Sequence, residues 1–199
     1  MSLRSTLPLL YRAYLRAPDH PAKLRLLNWL EPWMIPAEGG VFEVEHGLKM
    51  LLHPRETTEH MLLRNDSYEP LTISFLERNL SAGQTTLLAG VNSGLHLMVA
   101  SRAVGPTGCA IGVEPQPVSL RRARENVLLN DLPNNIRLVS GGLGAGPAIV
   151  PMSEPPEDHT GWASMVLREP GRHPYYIQID SVPNVLCQLK VERLDVMLD

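Results

Sequence analysis

The segment Gly90-Val91-Asn92-Ser93-Gly94 combines two glycines with two short polar side chains. Glycine accepts positive φ angles and lets the main chain come close to a bound molecule, and Asn92 and Ser93 add side-chain donors. Further along the chain, Glu114 and Pro115 follow an apolar run. A carboxylate in such a place can accept hydrogen bonds from both hydroxyls of a ribose. These residue types predict a site for a nucleoside-like molecule.

Strand-like and helix-like stretches surround these residues. The glycine segment follows the apolar run Thr85–Ala89 and precedes Leu95–Val104, which has the length and composition of a helix. A second apolar run, 109–113, ends at Glu114. Parallel sheets bind their ligands beyond the carboxyl ends of the strands. We therefore expect the glycine segment and Glu114 to meet at one edge of a sheet.

The alternation of strands and helices continues beyond Glu114. A helix is predicted over 119–128 with Ser119 as its N-cap, and a strand at Ile136–Ser140. Short loops between alternating strands and helices favour an α/β fold with a parallel sheet and helices on both faces. The predicted fold class is thus α/β and Rossmann-like. Further strands are predicted at 148–152, 163–167, 176–180 and 194–198.

The amino-terminal part has a different pattern. Helical spacing predicts two short helices within 7–30 and two more within 56–80, and alternating apolar and acidic residues predict a β-hairpin over 41–52. We interpret residues 1–80 as a helical and hairpin lid region. Residues 81–199 then form the core domain.

Glycine spacing also separates two cofactor classes. A dinucleotide fingerprint has a further glycine two residues after the first, to meet the pyrophosphate. Here that residue is Asn92. The spacing favours S-adenosylmethionine over NAD, and an NAD-linked oxidoreductase stays as a lower-ranked alternative.

Several motifs form one pattern when they are taken together. They are the stretches 39–50, Tyr68-Glu69-Pro70, 90–94, 104–108, 113–117 and 124–132. From about residue 41 to the last residue the chain resembles the FkbM family of S-adenosylmethionine-dependent methyltransferases. The most specific motifs are the Glu-Pro-x-Pro turn that begins at Glu114 and the helix end that carries Asn126 and Asn130.

The resemblance implies a class I methyltransferase sheet and O-methylation of small molecules or sugars. The cofactor-binding residues would be Gly90, Val91, Asn92, Ser93, Gly94, Glu114 and Pro115. Gly142 and Leu143, which follow the third strand, would border the adenine ring. Asp199 would act as a general base or orient the acceptor hydroxyl, and Glu69 would lie near the cofactor.

The sequence departs from the family pattern at two places. Leu88 occupies the position of an aspartate that would meet the methionine ammonium, which predicts weaker cofactor binding. Asp199 matches the first residue of an Asp-x-Glu-Gly motif after which the family continues. This predicts an incomplete sheet, with an edge that a second copy or a partner would cover. The alternative function is a catalytically inactive methyltransferase-fold fragment or interaction module.

Composition excludes several other classes. The 199 residues are 44% hydrophobic with a net charge of -3, and no basic stripe is present, so nucleic acid is not a favoured partner. No apolar run is long enough for a transmembrane segment, and we expect a cytoplasmic protein. Cys109 and Cys187 form no CxxC pair, and His53 and His60 lack the spacing of a helical metal site. No metal site is predicted.

Overall fold

The computed structural model describes residues 11, 13–14, 17–35, 37–65, 67–153 and 174–199. The chain divides into two compact units, Met1–Pro70 and Leu71–Asp199. Of the sequence-based predictions, the strand at 163–167 and most of the first helix within 7–30 lie outside the described residues. Among the residues described, no helix is long and apolar enough to cross a lipid bilayer.

Within its described residues from 17 to 65, the first unit contains two helices and a hairpin. Helix α1 spans Lys23–Met34, strands β1 and β2 span Gly40–Glu43 and Lys49–Leu52, and helix α2 spans Thr57–Asn65. The two strands pair antiparallel, as predicted, and the 3-10 turn Glu45–Gly47 joins them with His46 at a φ of +62°. Buried apolar side chains come from β2, from the residue just before it and from α2. The buried set is Leu48, Met50, Leu52, Leu62 and Leu63.

The second unit is an alternation of strands and helices. Its elements, in chain order, are α3 Pro70–Asn79, β3 Thr85–Ala89, α4 Leu95–Val104, β4 Cys109–Glu114, α5 Pro117–Leu128, β5 Ile136–Ser140, β6 Gly142–Leu143, β7 Ala148–Ser153, β8 Pro174–Asp180, α6 Val182–Gln188 and β9 Val196–Leu198. Pro70, which begins α3, is the last residue of the first unit.

In the part of the chain that the structure describes, four parallel strands form the main sheet, in the order β5-β4-β3-β9. The connections through α4 and α5 carry the chain outward from β3 to β5, and β9 then pairs on the other side of β3. Strand order therefore reverses between β3 and β9, which is where such sheets bind ligands. The predicted Rossmann-like α/β fold is confirmed.

Both faces of the main sheet are covered. On one face, Leu87, Ile111 and Val113 form a buried cluster against which Leu143 of β6 and Leu186 of α6 pack. On the other face, α4 approaches β4 so closely that a Cβ on Gly112 would lie 2.8 Å from the Leu97 side chain. A smaller sheet has the strand order β6-β8-β7, in which β6 pairs parallel and β7 pairs antiparallel with β8.

The N-cap predicted for α5 is wrong. The N-cap of α5 is Gln116, whose Oε1 accepts a hydrogen bond from the backbone N–H of Ser119 at 2.6 Å. Ser119 was expected to cap the helix, but Pro117 fits the first helical position because its missing N–H would have no partner there. The helix therefore begins two residues earlier, at Pro117.

Candidate functional site

The glycine loop, residues 90–94, lies at the carboxyl end of β3, where strand order reverses. Three of its residues have left-handed backbones: Gly90 with a φ of +73°, Asn92 with +47° and Gly94 with +92°. The N–H of Gly90 donates to Val113 O at 2.8 Å, which holds the start of the loop against β4. The loop turns sharply and ends at Gly94, which is the N-cap of α4.

Gly90 borders open space. A Cβ built on it would have no atom within 4 Å among its neighbours. Val91 and Ser93, by contrast, are each 5% exposed, and Val91 packs towards Gly112 in β4. A ligand at this loop would therefore meet the main chain near Gly90 and Asn92 rather than the side chains of Val91 and Ser93.

Glu114 ends β4 and is 5% exposed. Its Oε2 accepts a hydrogen bond from the Asn92 N–H at 2.8 Å, and its Oε1 accepts one from the Gln116 N–H at 2.9 Å. The structure thus brings Glu114 and the glycine loop together, as their placement after adjacent strands predicted. Since a carboxylate offers about four acceptor positions, each oxygen keeps capacity for a further donor.

The charge state of Glu114 reflects two opposing influences. Burial raises the pKa of its carboxyl above the ordinary value of 4.5, and the N–H groups of Gln116 and Asn92 lower it in part. Buried groups with shifted pKa values are concentrated at functional sites. Glu114, which is hydrogen-bonded to the glycine loop, is such a group.

The turn after β5 reaches the same edge of the sheet. The Gly141 N–H donates to Glu114 O at 3.1 Å, so Gly142 and Leu143 begin next to the end of β4. Leu143 packs against the buried cluster on the sheet and pairs with Asp180 of β8. Their role beside an adenine ring stays a prediction.

The two candidate catalytic carboxylates lie in different units. Asp199 is exposed and follows β9, in which Leu198 pairs with Leu88 of β3, so it lies at the same edge as the glycine loop. Glu69 is exposed, has a φ of +49° and belongs to the first unit, directly before Pro70. Both roles stay predictions.

Leu88 is 2% exposed within β3, between Gly112 of β4 and Leu198 of β9. At the position where the resemblance leads us to expect an aspartate, this chain has an apolar side chain in the protein core.

Among the described residues, no group of three or more histidine, cysteine, aspartate or glutamate side chains could hold a metal ion.

Sequence reasoning missed the contacts that fix the loop from the side of α5. Asn126 is fully buried, and its Nδ2 donates to Ser93 O at 2.8 Å. Gly94 lies against Ala123, since a Cβ on Gly94 would be 3.2 Å from the Ala123 Cα. The sequence marked Asn126 as part of the helix-end motif, but the motif does not show which group its buried side chain contacts.

Together these features define a class: a Rossmann-like α/β domain with a glycine loop after the first strand of the sheet and a carboxylate after the second. This is the arrangement in which such folds hold nucleotides.

Two known methyltransferases are similar in sequence to part of this chain. The arsenite methyltransferase of Halobacterium salinarum is 40% identical over 55 residues, 28% of this chain and 14% of that protein. The ribosomal protein L11 methyltransferase of Chloroflexus aurantiacus is 34% identical over 79 residues, 40% of this chain and 24% of that protein. The matched part thus spans less than a quarter of either relative's length. No model of a known protein family matches the chain.

Two solved structures are also similar. One is a candidate rRNA-methylase from Clostridium thermocellum, with a TM-score of 0.35 and 16% identity over 37% of this chain and 41% of that one. The other is a protein-L-isoaspartate O-methyltransferase, with a TM-score of 0.35 and 28% identity over 38% of this chain and 24% of that one. Nothing in these comparisons identifies the FkbM family specifically.

Proposed function

We propose that this chain is an S-adenosylmethionine-dependent methyltransferase. The observation that carries the proposal is the buried carboxylate of Glu114, at the end of β4, bonded to the Asn92 N–H of the glycine loop at the end of β3. The partial identity to two curated methyltransferases supports the same reading.

The residues present fit this cofactor. Glu114 keeps acceptor capacity for the ribose hydroxyls, and the open space beside Gly90 leaves room for a ligand against the main chain. Gly94 caps α4 without a side-chain hydrogen bond, so no side chain of the cap competes with a ligand carboxylate for the first amides of the helix. Pro115 follows Glu114, and Gly142 and Leu143 would border the adenine.

The proposed reaction is O-methylation of a small molecule or sugar, as the FkbM resemblance implies. When bound, the cofactor supplies an electrophilic methyl group, and the protein's part is to align the acceptor oxygen and remove its proton. Asp199, at the same sheet edge as the glycine loop, is our candidate for the proton acceptor, and Glu69 is the second candidate. The first 80 residues would form a lid, and we place the protein in the cytoplasm.

A second candidate function is a methyltransferase-fold module without turnover. Leu88 favours it, because a buried apolar side chain cannot meet the ammonium group of the cofactor's methionine. Such a module would use the fold as a binding surface, with a second copy or a partner against an exposed sheet edge.

Thermal unfolding in the presence of nucleotides tests the proposal. We expect S-adenosylmethionine and S-adenosylhomocysteine to raise the Tm of the full chain, and NADH to leave it unchanged. No shift with either adenosyl compound at millimolar concentration would sink the cofactor assignment. A shift with no transfer of labelled methyl groups to a panel of hydroxyl acceptors would favour the module.

A further inference from the structure

Helix α5 contacts the glycine loop at two consecutive residues. Gly94 lies so close to Ala123 that a Cβ on Gly94 would be 3.2 Å from both its Cα and its Cβ. Next to this contact, Asn126 is 0% exposed, and its Nδ2 donates to Ser93 O at 2.8 Å. The Gly94 N–H of the same peptide unit donates to Val91 O at 2.8 Å. Both ends of the Ser93–Gly94 peptide are therefore fixed.

We propose that Asn126 is a positioning residue of the cofactor loop. Its side-chain amide fixes the plane of the Ser93–Gly94 peptide, from which α4 begins, and so orients the main-chain groups that face the cofactor. The inference rests on the function proposed for this site. It adds a residue that does not touch the ligand itself.

The loop is held from two sides by complementary groups. On the β4 side, the Glu114 carboxylate accepts a hydrogen bond from the Asn92 N–H. On the α5 side, Asn126 donates to the Ser93 carbonyl. The buried Ser93 carbonyl needs a donor, which neither an apolar side chain nor an ionised carboxylate can supply. Asparagine fits because its amide is a short neutral donor.

Asn135 provides a matched control. It is 4% exposed, and its Nδ2 donates to the carbonyls of Ser101 at 2.9 Å and Gly105 at 2.7 Å. These carbonyls belong to the carboxyl end of α4, whereas Asn126 acts before its amino end. Asn135→Ala thus removes buried amide hydrogen bonds from the same unit without touching the glycine loop.

The experiment compares the full-length wild type with Asn126→Ala, Asn126→Asp and Asn135→Ala. For each, the affinity for S-adenosylhomocysteine is measured by isothermal titration, and the stability by urea unfolding. In the ligand-free proteins, the ¹⁵N and ¹H shifts of the Gly94 amide report on the hydrogen bond to the preceding Ser93 carbonyl. We expect both Asn126 variants to lose about tenfold in affinity, the scale of one buried hydrogen bond. We expect the Gly94 resonance to move in both, while Asn135→Ala keeps its affinity within about twofold.

The result that overturns the inference is equal affinity in Asn126→Ala and the wild type, or an equal loss in Asn135→Ala, which would mark general destabilisation. If Asn126→Ala does not fold, the near-isosteric Asn126→Asp carries the comparison. If the wild type binds no S-adenosylhomocysteine, the proposed function fails, and the positioning role of Asn126 is then judged from the Gly94 resonance alone. A shift confined to the Asn126 variants then supports the positioning role, and an unchanged resonance refutes it.

Discussion

Glu114 is the side chain on which the candidate site depends. Its two oxygens accept hydrogen bonds from the Asn92 and Gln116 N–H groups, and it is 5% exposed. Burial of a carboxylate costs free energy unless donors surround it, and here two backbone donors are fixed by the loop and by the turn into α5. Backbone donors therefore hold the Glu114 carboxylate in place before any ligand binds.

The raised pKa of Glu114 predicts a pH dependence of stability. Its folded pKa lies above 4.5, so between 4.5 and that pKa the folded chain retains a proton that the unfolded chain has released. Stability should therefore fall as pH rises through this window and level off above it. Glu114→Gln, which has no proton to release, should lack this contribution.

Urea unfolding over a pH series, on the wild type and on Glu114→Gln, measures this contribution. The difference in unfolding free energy between the two should change with pH only in the window above 4.5. Parallel pH profiles for the two proteins would show that Glu114 titrates in the folded state as it does in the unfolded chain.

At this scale, sequence reasoning predicted a site role for Glu114, whereas it identified Asn126 only as part of a motif and not its contact with the glycine loop. Glu114 could be found because it ends an apolar strand, and the carboxyl ends of parallel strands meet at one edge. The contact between Asn126 and Ser93 joins residues 33 apart in the chain. It depends on how closely α5 packs against the loop, which helical spacing alone does not encode.

At the scale of elements, the β3 to α4 connection combines two glycines with different surroundings. Gly90 has open space beside it, whereas Gly94 is pressed against Ala123 of α5. Both need a left-handed backbone, but only Gly94 is also needed for packing between elements. The two positions should therefore respond differently to the same substitution.

Replacement of each glycine by alanine tests this difference. Gly90→Ala should lose about 1–2 kcal/mol of stability through its left-handed backbone, and its methyl group should hinder the ligand and lower affinity. Gly94→Ala should lose more stability, because its Cβ also meets Ala123 at 3.2 Å. Urea unfolding and titration with S-adenosylhomocysteine measure the two effects.

Gly83→Ala is the control for backbone strain. Gly83 has a φ of +85° and precedes the amino end of β3, opposite the glycine loop. It should lose stability as Gly90→Ala does and keep its affinity. Equal affinities for Gly83→Ala and Gly90→Ala would contradict the assignment of the open space beside Gly90 to a ligand.

Most elements around the site could be predicted, and the misses have local causes. The strands Thr85–Ala89 and Ile136–Ser140 have the predicted bounds, because each is a short stretch of apolar and β-branched residues between turn residues. Helix α6, Val182–Gln188, was missed although Ser181 caps it and a proline opens it. It is a single short helix with only Val185 buried, so its apolar periodicity is too brief to recognise.

At the scale of the whole molecule, the sheet order brings the parts of the site together. The sequence predicts parallel strands, but the placement of β9 beside β3 follows from long-range pairing such as Leu88 with Leu198. This pairing creates the point of reversal at which the glycine loop, Glu114 and Asp199 lie at one edge. Which acceptor would bind there depends on loops, whose chemistry varies widely within such folds.

Isothermal titration of the full chain with S-adenosylhomocysteine tests the central claim most directly. Three proteins are compared: the wild type, Glu114→Gln, and Glu125→Gln as a control on the exposed side of α5. Each carboxylate oxygen of Glu114 accepts a hydrogen bond from a backbone N–H. In Glu114→Gln an NH₂ group replaces one of these oxygens, so one of the two backbone N–H groups loses its acceptor.

We expect one molecule bound per wild-type chain, an affinity at least about tenfold lower for Glu114→Gln, and no change for Glu125→Gln. A wild-type chain that gives no heat at millimolar ligand, or a Glu114→Gln variant that binds as tightly as the wild type, would contradict the account.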